Sequence, residues 1–268
     1  SAGGSATVWG RTRPHLGALL DSLGPDHDAI GEIIVAVPEG VDVSDDRVNR
    51  TVTYTRDESP FAVAAQSATG TVAVVLDEAM MLDAESSIIE MVTLLSDPEV
   101  VAVGSAQFRP DGCVSHGGLV AEAGTISSIL SGWHRDHPGP GRLMDVNREV
   151  GAVDLIGSAW RMEELRTVIE HSPTHDTVVA GVRACLDART QGRRVLWTPF
   201  TSFTRCNDER NRERTTIAQL EVLGTAMPDH DPYYNPNLVP GRADWLERPG
   251  RAGAPPYVVD SDGRRHWS

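Results

Sequence analysis

Two acidic residues, Asp77 and Glu78, directly follow the apolar run VAVVL at residues 72–76. Such a run of Val, Ala and Leu, preceded by Gly70 and Thr71, is typical of an interior strand of a parallel sheet. Ligands of open α/β sheets bind at the carboxyl ends of the strands, and carboxylate oxygens are the groups that hard divalent cations prefer. We therefore expect Asp77 to lie at the ligand-binding edge of a sheet.

The first 105 residues alternate between strand-like and helix-like patterns. Strand-like runs cover residues 6–9, 32–37, 51–54, 72–76 and 100–104. Helical patterns lie between them at residues 15–23, 61–69 and 86–95. Strands that are regularly separated by helices indicate βαβ units and therefore a mainly parallel sheet.

The pattern is less regular after residue 104. A turn at 109–112 and a loop at 132–142 precede a strand-like run at 150–156, a helical pattern at 176–190 and a strand-like run at 194–197. From residue 227 onward Pro, Gly, Asp and Arg predominate, which predicts a surface tail over residues 227–268. No internal repeat or clean linker interrupts residues 1–226, which favours a single domain there.

Charge, apolar content and cysteine content limit the partners and the cellular location that we expect for this protein. The formal net charge of −14 argues against nucleic acid or an anionic membrane surface as the main partner, and all 24 basic residues are arginine. No apolar run approaches the ~20 residues of a membrane span, and no signal-peptide pattern opens the chain. With three cysteines and no disulfide framework, we expect a cytoplasmic protein, either free or peripheral to the inner face of the membrane.

Seven segments, in the same order along the chain, resemble bacterial family 2 glycosyltransferases. They are residues 32–42, 59–70, 72–80, 97–118, 147–159, 192–199 and 231–238. The resemblance implies the GT-A fold, an α/β fold that is Rossmann-like, with a mainly parallel central sheet flanked by helices. It also implies a nucleotide-sugar-binding half over residues 1–105 and an acceptor half over 106–226.

The family chemistry is the transfer of a sugar from a nucleotide-diphosphate sugar to an acceptor hydroxyl, with inversion at the anomeric carbon. The resemblance implies Mg²⁺ or Mn²⁺ on an Asp-x-Asp motif to neutralise the leaving diphosphate, and a carboxylate base on the acceptor side. The acceptor would be a polysaccharide or other saccharide, a cell-envelope intermediate or a natural product. The residues predicted to bind the nucleotide-sugar donor are Gly10, Arg11, Glu39, Gln66, Asp77, Glu78 and Arg205.

The chain departs from the family pattern at four of these places. Ala79 stands where the second aspartate belongs, so that Asp77 remains as the predicted metal ligand. Pro38 takes the place of the acid after the second strand, with Glu39 beside it, and Gln66 replaces an asparagine. Arg205 occupies the position of a histidine that joins the metal shell.

The metal site therefore looks degenerate, and two interpretations of Arg205 remain open. An arginine can offer a fixed cation to a diphosphate in place of a metal ion. It can equally be a surface residue beside a site that has lost its function.

The predicted catalytic base is Asp176, sixteen residues before Gly192, and its alternative role is to cap a helix. On the acceptor side the candidates are Trp133, His134, Gly157 and Ser158. Trp133 and His134 belong to a loop that can close over a sugar or be merely polar.

Two other functional classes remain open. A degenerate GT-A domain that binds a partner or a nucleotide sugar without transferring it is favoured by Ala79 and Pro38. A nucleotidyltransferase would need a Gly-rich, basic loop after the first strand, which residues 9–13 resemble only faintly.

Overall fold

The computed structural model of the protein describes residues 4–9, 13–122, 125–171, 176–206, 227–239, 257–259 and 265–267. The strands in these residues are β1 (Gly4–Trp9), β2 (Ile30–Pro38), β3 (Arg50–Tyr54), β4 (Val72–Asp77), β5 (Met80–Leu82), β6 (Val100–Phe108), β7 (Val114–His116), β8 (Leu119–Glu122), β9 (Thr125–Ser128), β10 (Arg148–Glu149), β11 (Ser158–Arg161), β12 (Arg194–Arg205), β13 (Tyr257–Val259) and β14 (Arg265–Trp267).

The helices flank a central sheet. They are α1 (Arg13–Ser22), α2 (Pro60–Ser67), α3 (Ile88–Leu94), α4 (Met162–His171) and α5 (Thr177–Thr190), with short 3-10 helices at Gly24–Ala29 and Pro140–Asp145. Local sequence explains their starts, because Pro60 suits the first position of a helix and the Ser87 hydroxyl accepts a hydrogen bond from the Ile89 amide at 3.2 Å. None of the described helices is long and apolar enough to cross a bilayer.

The central sheet has ten strands, eight of them in the order β10-β12-β6-β11-β4-β1-β2-β3. Strands β1, β2, β3 and β4 pair in parallel, as the alternating pattern predicts, and so do β6 and β12. Their apolar runs are buried, and every residue of β6 is buried.

The prediction of a mainly parallel sheet is wrong, because the sheet is mixed. Strand β11 lies antiparallel between β4 and β6, and β5, β7 and β10 also pair antiparallel. The predicted strand at 150–156 is irregular instead, and the regular strand begins at Ser158. Hydrophobic periodicity reports which residues are buried but carries no information on strand direction, which explains the first error. Residues 150–156 are buried although they are irregular, so their apolar pattern matches that of a buried strand, which explains the second.

Because β11 is antiparallel to both of its neighbours, β4 and β6 run in the same direction. The carboxyl ends of β1, β2, β3, β4, β6 and β12 therefore share one edge of the sheet. We call this the carboxyl edge. It is where the side chains that end these strands meet.

Residues 227–239 are more tightly held than the predicted surface tail. Asp231 is fully buried, and Tyr234 and Leu238 are also in the core. The Asp231 amide donates to the Glu122 carboxylate at 3.0 Å, which ties this segment to β8. The polar composition that suggested a tail therefore reflects buried hydrogen bonding in this part of the segment.

Close packing at Gly181 in α5 leads to a first prediction. A Cβ at this position would lie 2.4 Å from the Val153 carbonyl oxygen and 2.7 Å from the Leu155 amide nitrogen. Since backbone atoms cannot rotate away, Gly181→Ala is expected to lower the free energy of unfolding by about 1–3 kcal/mol. Urea unfolding monitored by circular dichroism measures this change.

The matched control is Gly17→Ala in α1, where a Cβ would meet no atom within 4 Å. There alanine is expected to stabilise by about 0.5–1 kcal/mol, because glycine is the weaker helix former. Equal stabilisation by both substitutions would contradict the packing of α5 against residues 153–155.

Candidate functional site

The acidic pair forms a tight turn at the carboxyl edge. Asp77 ends β4 and its Oδ1 accepts a hydrogen bond from the Ala79 amide at 2.9 Å, after which β5 begins at Met80. Asp77 and Glu78 are 6% and 8% exposed. The Cys206 amide donates to the Ala79 carbonyl at 2.6 Å, so the turn is held against the end of β12.

Arg205 is the last residue of β12 and lies beside this turn. It is only 4% exposed and is paired with Met80 of β5. Its guanidinium donates to the Gln107 Oε1 from Nη2 at 2.9 Å and from Nε at 3.3 Å. The interpretation of Arg205 as a surface residue is therefore wrong.

Cys206, the residue after Arg205, lies near the Asp77 carboxylate. Partial burial, followed by the negative charge of Asp77, raises the pKa of the Cys206 thiol. The carboxylate of Asp77 thus faces the end of β12 that carries Arg205.

Gln107 joins the site from the neighbouring strand β6. Its Nε2 donates to the Ile156 carbonyl at 2.9 Å while its Oε1 accepts from Arg205. Sequence reasoning overlooked Gln107, although an amide within the otherwise apolar and small residues of the strand VVAVGSAQF was a usable signal. We call the set Asp77, Glu78, Arg205 and Gln107 the polar row.

Gly157 packs directly against this row. Its φ is +73°, and a Cβ there would lie 2.3 Å from the Gln107 Nε2 and 2.9 Å from the Met80 Cε. Only glycine fits this position. Gly157 therefore borders the site through its backbone, as a residue that lets β11 approach the polar row.

Ser158 has a structural role. It is fully buried, its hydroxyl donates to the Leu155 carbonyl at 2.7 Å, and it accepts from the Trp160 indole at 2.6 Å. The structure does not bring this hydroxyl into an open cleft, which corrects its assignment to the acceptor side.

Asp176 caps α5, as its alternative interpretation predicts. Its Oδ1 accepts hydrogen bonds from the Val178 and Val179 amides at 3.0 and 3.2 Å. The start of α5 also reaches the segment before Gly157, since the Leu155 amide donates to the Thr177 carbonyl at 3.3 Å. A further role as a base stays a prediction.

The loop that carries Trp133 and His134 is anchored by Arg135 over the ends of β6 and β12. Arg135 lies 3.3 Å from the Asp83 carboxylate, donates to the Thr204 hydroxyl at 2.7 Å, and stacks on Phe108 at 4.1 Å. The loop therefore lies at the carboxyl edge.

Within this loop Trp133 and His134 differ in their surroundings. The indole of Trp133 meets the His137 ring edge-on at 4.5 Å, and among the described residues its Nε1 has no hydrogen-bond partner. His134 is half exposed, with its Nδ1 3.3 Å from Asp136.

The other residues predicted to bind the nucleotide-sugar donor do not lie together. Glu39 is exposed just after β2, at the carboxyl edge. Gln66 is exposed in the last turn of α2, beside Ser67, whose carbonyl accepts from Arg50 at the start of β3. Gln66 thus lies at the opposite edge, and the structure does not bring it to the polar row. Gly10 and Arg11 lie outside the described residues.

The side chains around Asp77 are poor ligands for a divalent cation. In the described part of the chain, no three His, Cys, Asp or Glu side chains converge as a metal-binding group. Besides the carboxylates of Asp77 and Glu78, the neighbouring strand end carries the cationic Arg205, which pairs with Met80 after the turn. Hard divalent cations require several oxygen ligands, so these residues do not match a tightly held Mg²⁺ or Mn²⁺.

Comparisons with known proteins show the fold but no family, and no protein-family model matches the chain. The chain is 27% identical over 219 residues to "Uncharacterized protein y4gI" of Sinorhizobium fredii (strain NBRC 101917 / NGR234). This match covers 74% of the chain but only 24% of the relative's length.

A solved structure described as "Crystal structure of GalNAc-T7 with UDP, GalNAc and Mn2+" is similar, with a TM-score of 0.59 and 11% identity. The match covers 82% of this chain and 47% of the other. This likeness shows that the chain has the GT-A fold.

Proposed function

We propose that this chain is a glycosyltransferase that moves a sugar from a nucleotide-diphosphate sugar to an acceptor hydroxyl. The observation that carries the proposal is the polar row, which places a buried arginine beside an acidic turn at the carboxyl edge of a GT-A sheet. Membership of family 2, with residues 1–105 as the donor half and 106–226 as the acceptor half, is part of the proposal and is supported by the seven ordered segments.

In this proposal Arg205 takes the place of the metal ion. Departure of the nucleotide diphosphate leaves negative charge on its oxygens, and a guanidinium held in place stabilises that charge without reorganising. The hydrogen bonds to Gln107 preorient Arg205. Asp77 and Glu78 accept hydrogen bonds from hydroxyl groups of the nucleotide sugar.

In this proposal the acceptor binds on the side of the polar row opposite to the nucleotide-sugar donor. Trp133 belongs to the loop whose Arg135 is hydrogen-bonded to Thr204 of β12, and in the proposal its indole ring stacks on the acceptor sugar. The acceptor is a saccharide, an envelope intermediate or a natural product, and its hydroxyl attacks the anomeric carbon with inversion.

The second candidate function is a GT-A domain that binds a partner or a nucleotide sugar without transferring it. Two observations favour it: Ala79 removes one carboxylate from the acidic turn, and the Arg205 guanidinium already hydrogen-bonds Gln107. Turnover distinguishes the two, because only an enzyme releases the nucleotide from its donor.

A thermal-shift screen of UDP-, GDP-, CMP- and dTDP-sugars, each with Mn²⁺ and with EDTA, tests the proposal. A ligand that binds the native state stabilises it by mass action, by about 2.7 kcal/mol at a hundred times its Kd. We expect one nucleotide class to raise the midpoint, and the shift to persist in EDTA.

Two other outcomes would be informative. A shift that requires Mn²⁺ would show that the acidic turn still binds a metal and would overturn the role given to Arg205. The absence of a shift with every donor would contradict the donor site itself.

A further inference from the structure

We propose that Arg148 binds a carboxylate or phosphate group of the acceptor, so that the acceptor is an anionic saccharide. The inference rests on the proposed function and names the class of acceptor for that same site. Arg148 belongs to the proposed acceptor half of the chain, residues 106–226. It was not predicted from the sequence, because neither residue type nor spacing distinguishes it among the 24 arginines.

The guanidinium of Arg148 is held against a fixed aromatic ring. Arg148 begins β10, which lies at one end of the central sheet, and it is paired with Trp197 of β12. Its guanidinium carbon lies 4.5 Å from the centre of the Trp197 ring. Trp197 is fully buried and its indole donates to the Ser105 carbonyl at 2.9 Å. The ring therefore covers one face of the guanidinium and leaves the hydrogen-bonding edges in the plane of that group.

The N–H groups of Arg148 are little used by the protein. Nη2 donates to the Gly117 carbonyl, and Nε is buried without an acceptor among the described residues. A guanidinium carries five N–H donors in a planar fork. A buried donor that lacks an acceptor costs free energy, so a ligand that supplies the acceptor gains this energy on binding.

Arg161 shows what the same side chain does in a structural role. Its Nε donates to the Val100 carbonyl and its Nη2 to the carbonyls of Leu95 and Asp97, at 2.6–2.8 Å. These bonds join the end of α3 to the start of β6. Folding thus supplies Arg161 with acceptors for its Nε and Nη2 groups, whereas it leaves the Nε of Arg148 without one.

The charge of Arg148 also has no counterion in the described part of the chain. The adjacent carboxylate, Glu149, is bound to Arg194, with Nε to Oε1 at 2.6 Å. Burial alone lowers the pKa of Arg148 to about 10, and no carboxylate offsets this effect, so the side chain stays charged at neutral pH. A desolvated charge without a partner destabilises the fold. An oxyanion bound here would supply both the missing charge and an acceptor for Nε.

The position of Arg148 separates this anion from the leaving diphosphate. Trp197, beneath the guanidinium, is paired with Gly104 of β6. Gln107, which holds Arg205, lies three residues further along β6, or about 10 Å at the rise of a strand. Arg148 is only partly buried as a residue, so a ligand can reach it from solvent.

A carboxylate or a phosphate is the ligand that best fits these features. Both present two oxygens that match the parallel N–H groups of a guanidinium. The hydroxyl groups of a neutral sugar would leave the charge of Arg148 unbalanced. Uronic acids and sugar phosphates carry such an oxyanion on a saccharide, and they are the acceptors that this site favours.

An NMR titration of the Arg148 Nε–H group, assigned by its loss in Arg148→Met, tests the inference. The probes are glucose 1-phosphate, glucuronate, inorganic phosphate and glucose, at equal ionic strength and without a nucleotide sugar. We expect an anionic sugar to shift the signal saturably and to bind about tenfold more tightly than inorganic phosphate, while glucose has no effect. Equal or tighter binding of inorganic phosphate would assign the site to a free ion and overturn the anionic acceptor. No saturable shift with any probe would overturn the anion site.

Thermal unfolding of Arg148→Met separates binding from a structural role. Methionine fills similar apolar space, so without any probe we expect a midpoint at or above that of the wild-type protein. The anionic sugar should raise the wild-type midpoint by mass action and leave that of Arg148→Met unchanged. A lower midpoint for Arg148→Met, together with an equal response of both proteins to the sugar, would make Arg148 a structural residue like Arg161.

Two controls exclude effects of total charge and of the polar row. Arg142→Met removes one positive charge from an exposed side chain that pairs with Asp145, and it should keep the response to the anionic sugar. Arg205→Ala should keep the shift of the Arg148 signal. Since no measurement here contains a nucleotide sugar, failure of the donor screen would contradict the proposed function but leaves the titration decisive for the anion site.

Discussion

Asp231→Ala is expected to lower the free energy of unfolding by about 3–5 kcal/mol, because it removes a buried charge whose partners stay buried. The Asp231 side chain is completely inaccessible. Its Oδ2 accepts from the Ala121 amide and its Oδ1 from the Tyr233 amide, both at 3.0 Å. Arg189 lies 3.8 Å from Oδ1.

The surrounding structure leaves no room for adjustment. A Cβ on Gly151 would lie 1.7 Å from the Asp231 Oδ2, so the backbone of residue 151 packs directly against this carboxylate. Removal of the carboxylate leaves the Ala121 and Tyr233 amides without their acceptor. Arg189 also stacks on Tyr233 at 4.9 Å, which couples α5 to the same segment.

Urea unfolding of Asp231→Ala measures the effect, with Asp229→Ala as the matched control. Asp229 lies two residues earlier and is exposed, so its replacement is expected to change stability by no more than about 0.5 kcal/mol. If both variants unfolded at the wild-type urea concentration, residues 227–239 would not belong to the cooperative fold.

Arg205→Ala is expected to abolish the donor-dependent midpoint shift in EDTA and to reduce turnover by about 10²–10³-fold, the usual effect of removing one charge-stabilising donor. The physical reason is that Arg205, which is paired with Met80 directly after the acidic turn, supplies the guanidinium that the proposal places against the leaving diphosphate. Thermal shift and nucleotide release, both measured in EDTA, report the two losses.

Two further variants test whether the effect of Arg205→Ala comes from the lost guanidinium or from a general loss of structure. Arg205→Lys keeps the charge but loses the planar fork, so an intermediate loss of affinity is expected. Arg50→Ala removes an exposed arginine at the opposite edge of the sheet and is expected to leave the shift unchanged. Turnover that survives Arg205→Ala and vanishes with EDTA would show that a metal ion performs the role we give to Arg205.

Sequence reasoning located one half of the site well. The run VAVVL followed by Asp77 and Glu78 predicted both a strand and its ligand-binding end, because burial on both faces produces a continuous apolar run that can be read locally. The position of Arg205 also followed from comparison with a family pattern. In each case the information lies within a few residues of the side chain concerned.

The other half depended on contacts between distant segments. Gln107 lies in β6, and its meeting with Arg205 requires two strands that are distant in sequence. Asp176 shows the same limit, since an aspartate before a helix fits both a cap and a base, and the hydrogen bonds to Val178 and Val179 establish only the cap.

The amino-acid sequence was sufficient to establish the βαβ half of the sheet, the acidic turn at its carboxyl edge and the ordered segments typical of a GT-A protein. Tertiary structure alone decided the antiparallel insertion of β11 and the burial of two polar side chains, Arg205 against Gln107 and Asp231 against Gly151. Periodicity and local propensity are properties of a short stretch of chain. Strand direction and the burial of a polar group depend on partners that lie far along the sequence.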